Sequence, residues 1–264
     1  MMGERIMGER TSSAQANTGV HDAAPDICTY LEWDSTFFDK RIARVNGSHL
    51  DDSKVPELLK WCAQHRIDCL YLLADPTDAE TARIAAQNNF LEVDVRLTLE
   101  RPISRENPLP EADPRVRLAR ESDLPVLRKL ARTLHHGSRF YFDERFDREK
   151  CDLLYDAWIE KSFTDPAQTV FVPEADGQPV GYIACELRGQ ETQIGLLGIA
   201  PAYAGAGLGK ALVQEFISWS AKHGSRRGTV VTQERNTAAQ GLYRHFGFLP
   251  ASFQRWYHRW GTIG

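Results

Sequence analysis

The second half of this chain repeats the first in a constant register, and this repeat limits the possible folds more than any other feature. A shift of 158 positions (219 minus 61) aligns the halves without a gap over about fifty residues. Identical pairs in this register include Val55 and Val213, Glu57 and Glu215, Trp61 and Trp219, Ala63 and Ala221, His65 and His223, Phe90 and Phe248, Leu91 and Leu249, and Arg101 and Arg259. Two helix–strand–helix–strand units can share a few apolar matches because fold-level similarity is common. The uniform register favours duplication over that alternative, and we expect two related halves.

Short apolar runs alternate with helical patterns from Cys28 onward, which is typical of an α/β (α+β) fold with a mixed central sheet and flanking helices. In the first half we expect strands at 29–33, 42–45, 67–74 and 93–99, a helix at 53–65 capped by Ser53, and a helix at 78–88 capped by Thr77 or Asp78. In the second half we expect strands at 116–119, 169–173, 179–187, 193–200, 228–232 and 253–260, and helices at 123–135, 146–163, 207–223 and 237–246. The first two long strands of that half turn at Asp176-Gly177.

Composition divides the chain into four segments. Residues 1–26 carry almost no large apolar side chain, so we expect a disordered leader there. The first domain is predicted at 27–101, and the four prolines of 102–114 predict an exposed linker. The second domain is then 115–264.

The charge and cysteine content exclude several classes of protein. A net charge of −4 and a pI near 6.1 give no general attraction to nucleic acid or to an anionic membrane. The sequence has no apolar run of the roughly 18 residues that a membrane span needs, and we expect a cytoplasmic protein. Five scattered cysteines without a C-x-x-C pair indicate neither a disulfide framework nor a zinc site, and we expect no metal.

A glycine-rich loop between an apolar strand and an amphipathic helix is the first candidate for chemistry. Gly205, Gly207 and Gly209 allow close backbone approach, and the amides of a helix N-terminus attract an anion. The pattern predicts a pyrophosphate cradle, although such glycines also serve plain packing. A Walker loop is excluded because Ala211 follows Lys210. A Rossmann fingerprint fits poorly after three strands that read as antiparallel.

A second candidate lies at 236–248, where a polar residue ends a strand and a short helix carries a tyrosine. Gly247 is expected to end this helix in a left-handed conformation before Phe248 enters the core. Taken alone, Tyr243 would more often be a half-buried core tyrosine than a functional one.

The two segments together resemble the GCN5-related N-acetyltransferase (GNAT) family over residues 115–260. The resemblance rests on GAGLGKAL at 205–212 combined with the N-x-x-A pattern at 236–239 and LYRHFGF at 242–248. It implies acetyl-CoA as co-substrate and an amine as acceptor. The sequence departs from the family at Ala204, where an Arg or Gln is usual, so one side-chain contribution to the phosphate cradle is missing.

The resemblance also implies roles for individual residues. Leu197 and Ile199 would pair with the pantetheine arm, the loop amides would hold the pyrophosphate, and Tyr243 would protonate the leaving thiolate near the sulfur. The residues assigned to acetyl-CoA in this way are Leu197, Gly198, Ile199, Ala204, Gly205, Ala206, Gly207, Leu208, Gly209, Lys210, Asn236 and Tyr243. A backbone amide of the splayed strand would stabilise the oxyanion. The general base stays open between a water chain and five side chains: Glu186, Glu191, Glu234, His135 and His136.

The same shift aligns Tyr243 with Ala85, Gly207 with His49 and Gly209 with Asp51. The first half would therefore lack the proton donor and the cradle. We expect it to be a degenerate GNAT-like half that does not bind acetyl-CoA, and that packs against the active half or shapes the acceptor cleft.

Within the family the chain is most similar to bacterial members that acetylate nucleotide-linked amino sugars. The similarity rests on LEWDSTFF at 31–38, Ser-Arg-Phe at 138–140 followed by Trp-Ile at 158–159, and Trp-Tyr-His-Arg at 256–259. It implies that Arg139 contacts a diphosphate and that Phe140 or Trp256 stacks on the base or the sugar. These residues are equally compatible with core packing of the aromatic side chains and a surface position for Arg139.

Three functions stay open: an amino-sugar acetyltransferase, a GNAT enzyme acting on a protein N-terminus, a lysine or a small-molecule amine, and a silent acyl-CoA-binding module. The sequence also allows a homodimer.

Overall fold

The computed structural model describes residues 27–104 and 113–261. The predicted leader at 1–26 and the part of the predicted linker at 105–112 lie outside the described residues. Within the described ranges, no helix combines the length and the apolar character that crossing a membrane requires.

The described chain forms two compact units. The N-terminal unit contains residues 27–93 and 254–261, and the C-terminal unit contains residues 94–104 and 113–253. In chain order the elements are β1 (Cys28–Tyr30), α1 (Glu32–Phe38), β2 (Ile42–Val45), α2 (Val55–Gln64), β3 (Cys69–Ala74), α3 (Ala79–Gln87), β4 (Leu91–Pro102), β5 (Val116–Leu118), α4 (Leu124–Leu134), α5 (Arg139–Phe142), α6 (Arg148–Thr164), β6 (Gln168–Ala175), β7 (Gln178–Pro179), β8 (Gly181–Arg188), β9 (Glu191–Ile199), α7 (Leu208–Lys222), β10 (Arg227–Gln233), α8 (Thr237–His245) and β11 (Leu249–Trp260).

Each unit contains a mixed sheet with helices beside it. The strand order is β1-β2-β3-β11 in the N-terminal unit and β4-β10-β9-β8-β6-β5 in the C-terminal unit, where the short β7 also pairs with β6. The pairs β2–β3 and β9–β10 are parallel, and the other described pairs are antiparallel. The α/β class with a mixed central sheet is therefore confirmed.

The repeated register is visible in the structure as matching element bounds. Helix α3 and strand β4 begin and end 158 residues before helix α8 and strand β11. Helices α2 and α7 end at aligned residues, Gln64 and Lys222. The repeat predicted from residue identities is therefore a repeat of helix–strand–helix–strand units.

The repeated Trp–His pairs have the same structural role in both units. The Nδ1 of His65 donates to the carbonyl oxygen of Trp61 at 2.9 Å, and the Nδ1 of His223 donates to that of Trp219 at 2.8 Å. In each pair the two rings also pack together, with centroids 4.1 and 4.8 Å apart. Each of these carbonyls also accepts the backbone amide of the same histidine, at 3.0 and 3.1 Å, so the imidazole adds a second hydrogen bond at the end of each helix.

The last strand of each repeat, β4 in the first and β11 in the second, belongs to the sheet of the other unit. In the C-terminal unit, Arg227 of β10 pairs with Pro102 of β4, and in the N-terminal unit, Cys69 of β3 pairs with Trp260 of β11. These two pairs are equivalent under the shift of 158, so the exchange is reciprocal and in register. The predicted domain limits at 101 and 264 are corrected accordingly, because both units contain a strand from the other half of the sequence.

Three local predictions are also corrected. The strand expected at 29–33 ends at Tyr30, and helix α1 follows it. Ser53 does not cap α2, because its hydroxyl donates to the carboxylate of Asp51 at 2.7 Å and Lys54 occupies the N-cap position. The four-residue helix α5 was not predicted, since one helical turn is too short to show a period.

Candidate functional site

Strands β9 and β10 separate at their carboxyl ends. Their last register pair among the described residues joins Ile194 to Val230, although β9 continues to Ile199 and β10 to Gln233. On the other side of β9, its register with β8 shifts by one residue at Gly195. Such a bulge bends a strand away from a neighbour. We call the resulting gap the strand opening, and it lies where the pantetheine arm was predicted.

The glycine loop after β9 presents the start of α7. Gly205 and Gly207 have φ angles of +79° and +80°, and only glycine adopts this left-handed region without strain. Gly207 is the N-cap of α7, and the first intrahelical bond runs from the amide of Ala211 to the carbonyl of Gly207 at 3.1 Å. The preceding amides, at 208–210, have no acceptor further back in the helix. The loop therefore has the form of an anion cradle.

One cation beside this loop was missed by the sequence analysis. Nη1 of Arg115 donates to the carbonyl of Ala206 at 3.1 Å, and Asp113 holds the same guanidinium through Nη2 at 2.7 Å. Ala204 offers no side-chain donor of its own. Because Arg115 is 91 positions from Ala206 in the chain, no local pattern could reveal the contact.

Tyr243 lies on α8 and is completely buried. It belongs to one apolar cluster with Leu197 of β9 and Val230 of β10, the two strands that border the opening. Burial raises the pKa of its phenol. Gly247 has a φ of +76°, and the amide of Phe248 donates to the carbonyl of Tyr243 at 3.2 Å, so the predicted left-handed helix end is confirmed.

Asn236 begins the helix that carries Tyr243. Its Oδ1 accepts a hydrogen bond from the amide of Ala239, and its Nδ2 donates to Thr232, both at 3.1 Å. These contacts give the side chain a capping role. A contact between Asn236 and the co-substrate stays a prediction.

The residues from Leu134 to Phe142 run from one side of the strand opening to the other. A Cβ atom placed on Gly198 of β9 would lie 2.7 Å from Cδ1 of Leu134, so Leu134 packs closely over the backbone of this glycine. At the other end, the ring of Phe142 lies 3.6 Å from the guanidinium carbon of Arg235, just after β10. We call residues 134–142 the cover segment.

The candidate bases have partners within the chain. His135 is buried and hydrogen-bonded to the hydroxyl of Tyr182, and burial lowers the pKa of its imidazole well below the usual value. Glu186 pairs with Arg188 at 2.8 Å. His135 is 2% exposed, and its role as a base stays a prediction.

Two further candidates lie in ion pairs near the surface. Glu191 pairs with Arg227, and His136 lies 3.7 Å from Asp152. Glu234 follows β10, and its carbonyl accepts a hydrogen bond from Gln240. The identity of the base stays a prediction.

The three residues predicted to bind the acceptor are buried. Arg139 is 1% exposed, and its guanidinium carbon lies 4.2 Å over the ring of Phe140, which packs edge to face on Phe146. Trp256 is also 1% exposed and packs against Tyr71 in the N-terminal unit. The sequence could not show this burial, because the packing of distant parts of the chain decides it, and contact of these residues with an acceptor stays a prediction.

An opened parallel strand pair followed by a glycine-rich loop and a helix is the arrangement expected of an acetyl-CoA-dependent acetyltransferase. The sequence profile of the acetyltransferase (GNAT) family matches residues 131–248. The fold is also that of a GCN5-related N-acetyltransferase from Sphaerobacter thermophilus, with a TM-score of 0.60, 15% identity, and coverage of 83% of this chain and 72% of that one.

Similarity to curated proteins extends over both units. The chain is 30% identical over 242 residues to the dTDP-fucosamine acetyltransferase of Escherichia coli O6:H1 (strain CFT073), covering 87% of this chain and 96% of that protein. It is 25% identical over 138 residues to the spore coat polysaccharide biosynthesis protein SpsD of Bacillus subtilis (strain 168), covering 52% of this chain and 48% of that protein. The chain belongs to the GNAT family of acetyltransferases.

The protein is therefore an acyltransferase with acetyl-CoA as co-substrate. The residues present fit that molecule, because the left-handed glycines at 205 and 207 leave a helix N-terminus open to a pyrophosphate. Apart from its two chain neighbours, no described residue has an atom within 4 Å of a Cβ placed on Gly205, so the backbone there is open on that side.

Proposed function

We propose that this enzyme transfers the acetyl group of acetyl-CoA to a primary amine on a nucleotide-linked amino deoxysugar. The observation that carries the proposal is the length of the match to the dTDP-fucosamine acetyltransferase, which spans 87% of this chain. The general family profile matches only residues 131–248. The longer match includes the N-terminal unit, which acetyl transfer alone does not require.

Acetyl-CoA would lie along the strand opening. The backbone of Leu197, Gly198 and Ile199 would face its pantetheine arm, and the amides from Gly205 to Lys210 would hold its pyrophosphate. Three observations support this placement. Gly205 and Gly207 are left-handed, the first amides of α7 have no acceptor within the helix, and the guanidinium of Arg115 lies beside Ala206.

The reaction would be a direct attack. The amine nitrogen forms a bond to the thioester carbonyl carbon, and a backbone amide of β9 stabilises the oxyanion that results. When the C–S bond breaks, Tyr243 donates its phenolic proton to the thiolate, and water or a base removes the proton lost by nitrogen. Because burial raises the pKa of Tyr243, the phenol stays protonated across neutral pH and can act as an acid.

The proposal is tested by release of free thiol from acetyl-CoA with a panel of acceptors. The panel contains dTDP- and UDP-linked amino sugars, the corresponding amino sugars without nucleotide, spermidine, aminoglycosides and short peptides. We expect turnover with a nucleotide-linked amino sugar. Turnover confined to peptides or polyamines would overturn the acceptor class and leave acetyl transfer in place. Acetyl-CoA binding without turnover of any amine would favour a silent binding module.

A further inference from the structure

We propose that Arg235 and Phe142 form the contact that recognises the anionic nucleotide part of the acceptor. We call this pair the acceptor platform. The inference rests on the proposed function, since it assigns residues to the acceptor named there. It assigns the acceptor contact to the accessible Arg235 and Phe142 in place of the buried Arg139 and Phe140, which the sequence indicated.

The two side chains of the platform are held in a defined arrangement. The guanidinium carbon of Arg235 lies 3.6 Å from the ring centroid of Phe142, which is the geometry of a cation–π contact. Nη2 of Arg235 lies 2.5 Å from Oδ1 of Asp94. Asp94 is buried and lies on β4, so this ion pair restrains the position of the Arg235 side chain.

The platform is accessible, unlike the residues beside it. Phe142 is 53% exposed, and the side chain of Arg235 is 33% exposed. Arg139 also acts electrostatically on Asp94, but it is only 1% exposed. Of the two guanidinium groups near Asp94, Arg235 is the one that a ligand in solution can reach.

The position of the platform separates it from the cradle. Arg235 follows the carboxyl end of β10, whereas the cradle follows the carboxyl end of β9. The cover segment joins the two sides, since Leu134 packs against Gly198 and Phe142 against Arg235. The phosphates of acetyl-CoA are assigned to the cradle, so a second cation at the rim of the opening serves the other substrate, which must bring its amine to the same gap.

The chemistry of the pair fits a nucleoside diphosphate. A guanidinium is a planar fork of donors that matches two phosphate oxygens, which a lysine cannot reproduce. An exposed aromatic ring offers a surface on which a planar pyrimidine base can stack. A sugar without a nucleotide would use neither group.

Three substitutions test the platform: Arg235→Gln, Arg235→Lys and Phe142→Ala. Arg227→Gln is the control for the loss of an arginine charge, because Arg227 begins β10, its side chain is 47% exposed, and it forms ion pairs with Glu100 and Glu191. The measured quantity is the ratio of kcat/KM for the nucleotide-linked amino sugar to kcat/KM for the same sugar without nucleotide. Inhibition by the free nucleoside diphosphate against the acceptor is measured alongside.

We expect Arg235→Gln to lower the kcat/KM ratio about 10- to 100-fold, because it removes charge-assisted hydrogen bonds to phosphate. The inhibition constant of the nucleoside diphosphate should rise by a similar factor, and the KM for acetyl-CoA should change less than about twofold. Arg235→Lys should recover only part of the loss, and Phe142→Ala should lower the ratio about 3- to 10-fold through lost stacking. Arg227→Gln should leave the ratio unchanged.

The outcomes distinguish this inference from the proposed function. If the wild type accepts no nucleotide-linked amino sugar, the proposed function fails and the platform fails with it. If the wild type accepts one but Arg235→Gln keeps the ratio and the inhibition constant, only the platform is overturned. Equal losses in Arg235→Gln and Arg227→Gln would also overturn it, because they would indicate a general effect of charge.

Discussion

The connections that precede α2 and α7 occupy corresponding places in the two units, but the two helices begin at different aligned positions and their backbone amides are used differently. Helix α7 starts at Leu208, whereas α2 starts at Val55, five residues later in the aligned register. The residue aligned with Leu208 is Leu50, and its amide already donates to Oγ1 of Thr81 at 2.8 Å. Asp51 follows it, where the C-terminal unit has Gly209.

The helix caps show the opposite relation, because they are kept in both units. Oδ1 of Asp78 accepts from the amide of Thr81 at 2.9 Å, and the aligned Asn236 accepts from that of Ala239 at 3.1 Å. The comparison teaches that this capping interaction is shared, whereas His49 and Ala85 occupy the positions aligned with Gly207 and Tyr243. We propose on this basis that the N-terminal unit does not bind acetyl-CoA.

The largest expected effect concerns the phenol of the C-terminal unit. Tyr243→Phe should lower kcat about 100-fold or more, because it removes a general acid. The dissociation constant of acetyl-CoA should change less than about twofold, since the ring and its packing are kept. Steady-state kinetics and calorimetric binding measure the two quantities.

Tyr257→Phe is the matched control for that experiment. Tyr257 is a buried tyrosine of the N-terminal unit, and burial raises the pKa of its phenol as well. We expect kcat within about twofold of the wild type. An equal loss of kcat in both variants would show that Tyr243 acts through stability and would remove the functional contrast between the units.

An intermediate effect is expected at two left-handed glycines, one in each unit. Gly207→Ala and Gly47→Ala both place a Cβ at a positive φ, +80° and +89°, which costs about 1–2 kcal/mol. Both variants should therefore lower the melting temperature. Only Gly207→Ala should raise the KM for acetyl-CoA, by about tenfold, because it alone distorts the start of α7.

Thermal unfolding and acetyl-CoA kinetics on the two glycine variants check this expectation. A rise in the KM for acetyl-CoA with Gly47→Ala would contradict the assignment of the cradle to the C-terminal unit. No rise with Gly207→Ala would argue against the cradle itself.

The smallest expected effect concerns Asp78, the titratable member of this aligned pair of caps. Hydrogen bonds from Thr81, and a further one from His49, lower the pKa of Asp78 below its usual value. A lowered pKa means that the ionised carboxylate stabilises the fold above the unfolded pKa of about 4 and that this contribution is lost as the pH falls through the folded pKa. The difference in urea midpoint between the wild type and Asp78→Asn should therefore be largest near neutral pH and shrink in acid.

Asn236 supplies the contrast for this measurement, because the aligned amide cap of α8 does not titrate. Urea unfolding of the wild type and Asp78→Asn from neutral pH down to about pH 2.5 covers the relevant range. A midpoint difference that stays constant over this range would show that the charge of Asp78 contributes nothing beyond its hydrogen bond.

Most of the elements could be predicted because their signals are local. The turn at Asp176-Gly177 has positive φ at both residues, 50° and 75°, and the Asp78 cap was predicted from its position before a helical pattern. Helix α1 was missed, since Trp33 and Phe37, which stack at 5.0 Å, were taken as strand and core residues. A helix of seven residues has too few turns to reveal its period in the sequence.

The site was predictable where backbone geometry is encoded by glycine, and unpredictable where it depends on distant contacts. The left-handed angles at 205, 207 and 247 follow from the residue type. The acceptor residues were wrong in detail, because Arg139 and Phe140 turn inward and Phe142 outward. Burial of a side chain is set by everything that packs on it, which a local pattern does not contain.

By itself the sequence determined the repeat, the family and the left-handed glycines of the loop after β9, because each depends on residue types at fixed positions along the chain. Only the tertiary structure decided that β4 pairs with β10 and β11 with β3. A strand's backbone donors and acceptors are the same for any partner, so its neighbour is chosen by the packing of the whole chain. The same holds for Arg235, which meets Asp94 across 141 positions of sequence and reaches Phe142 only in the folded protein.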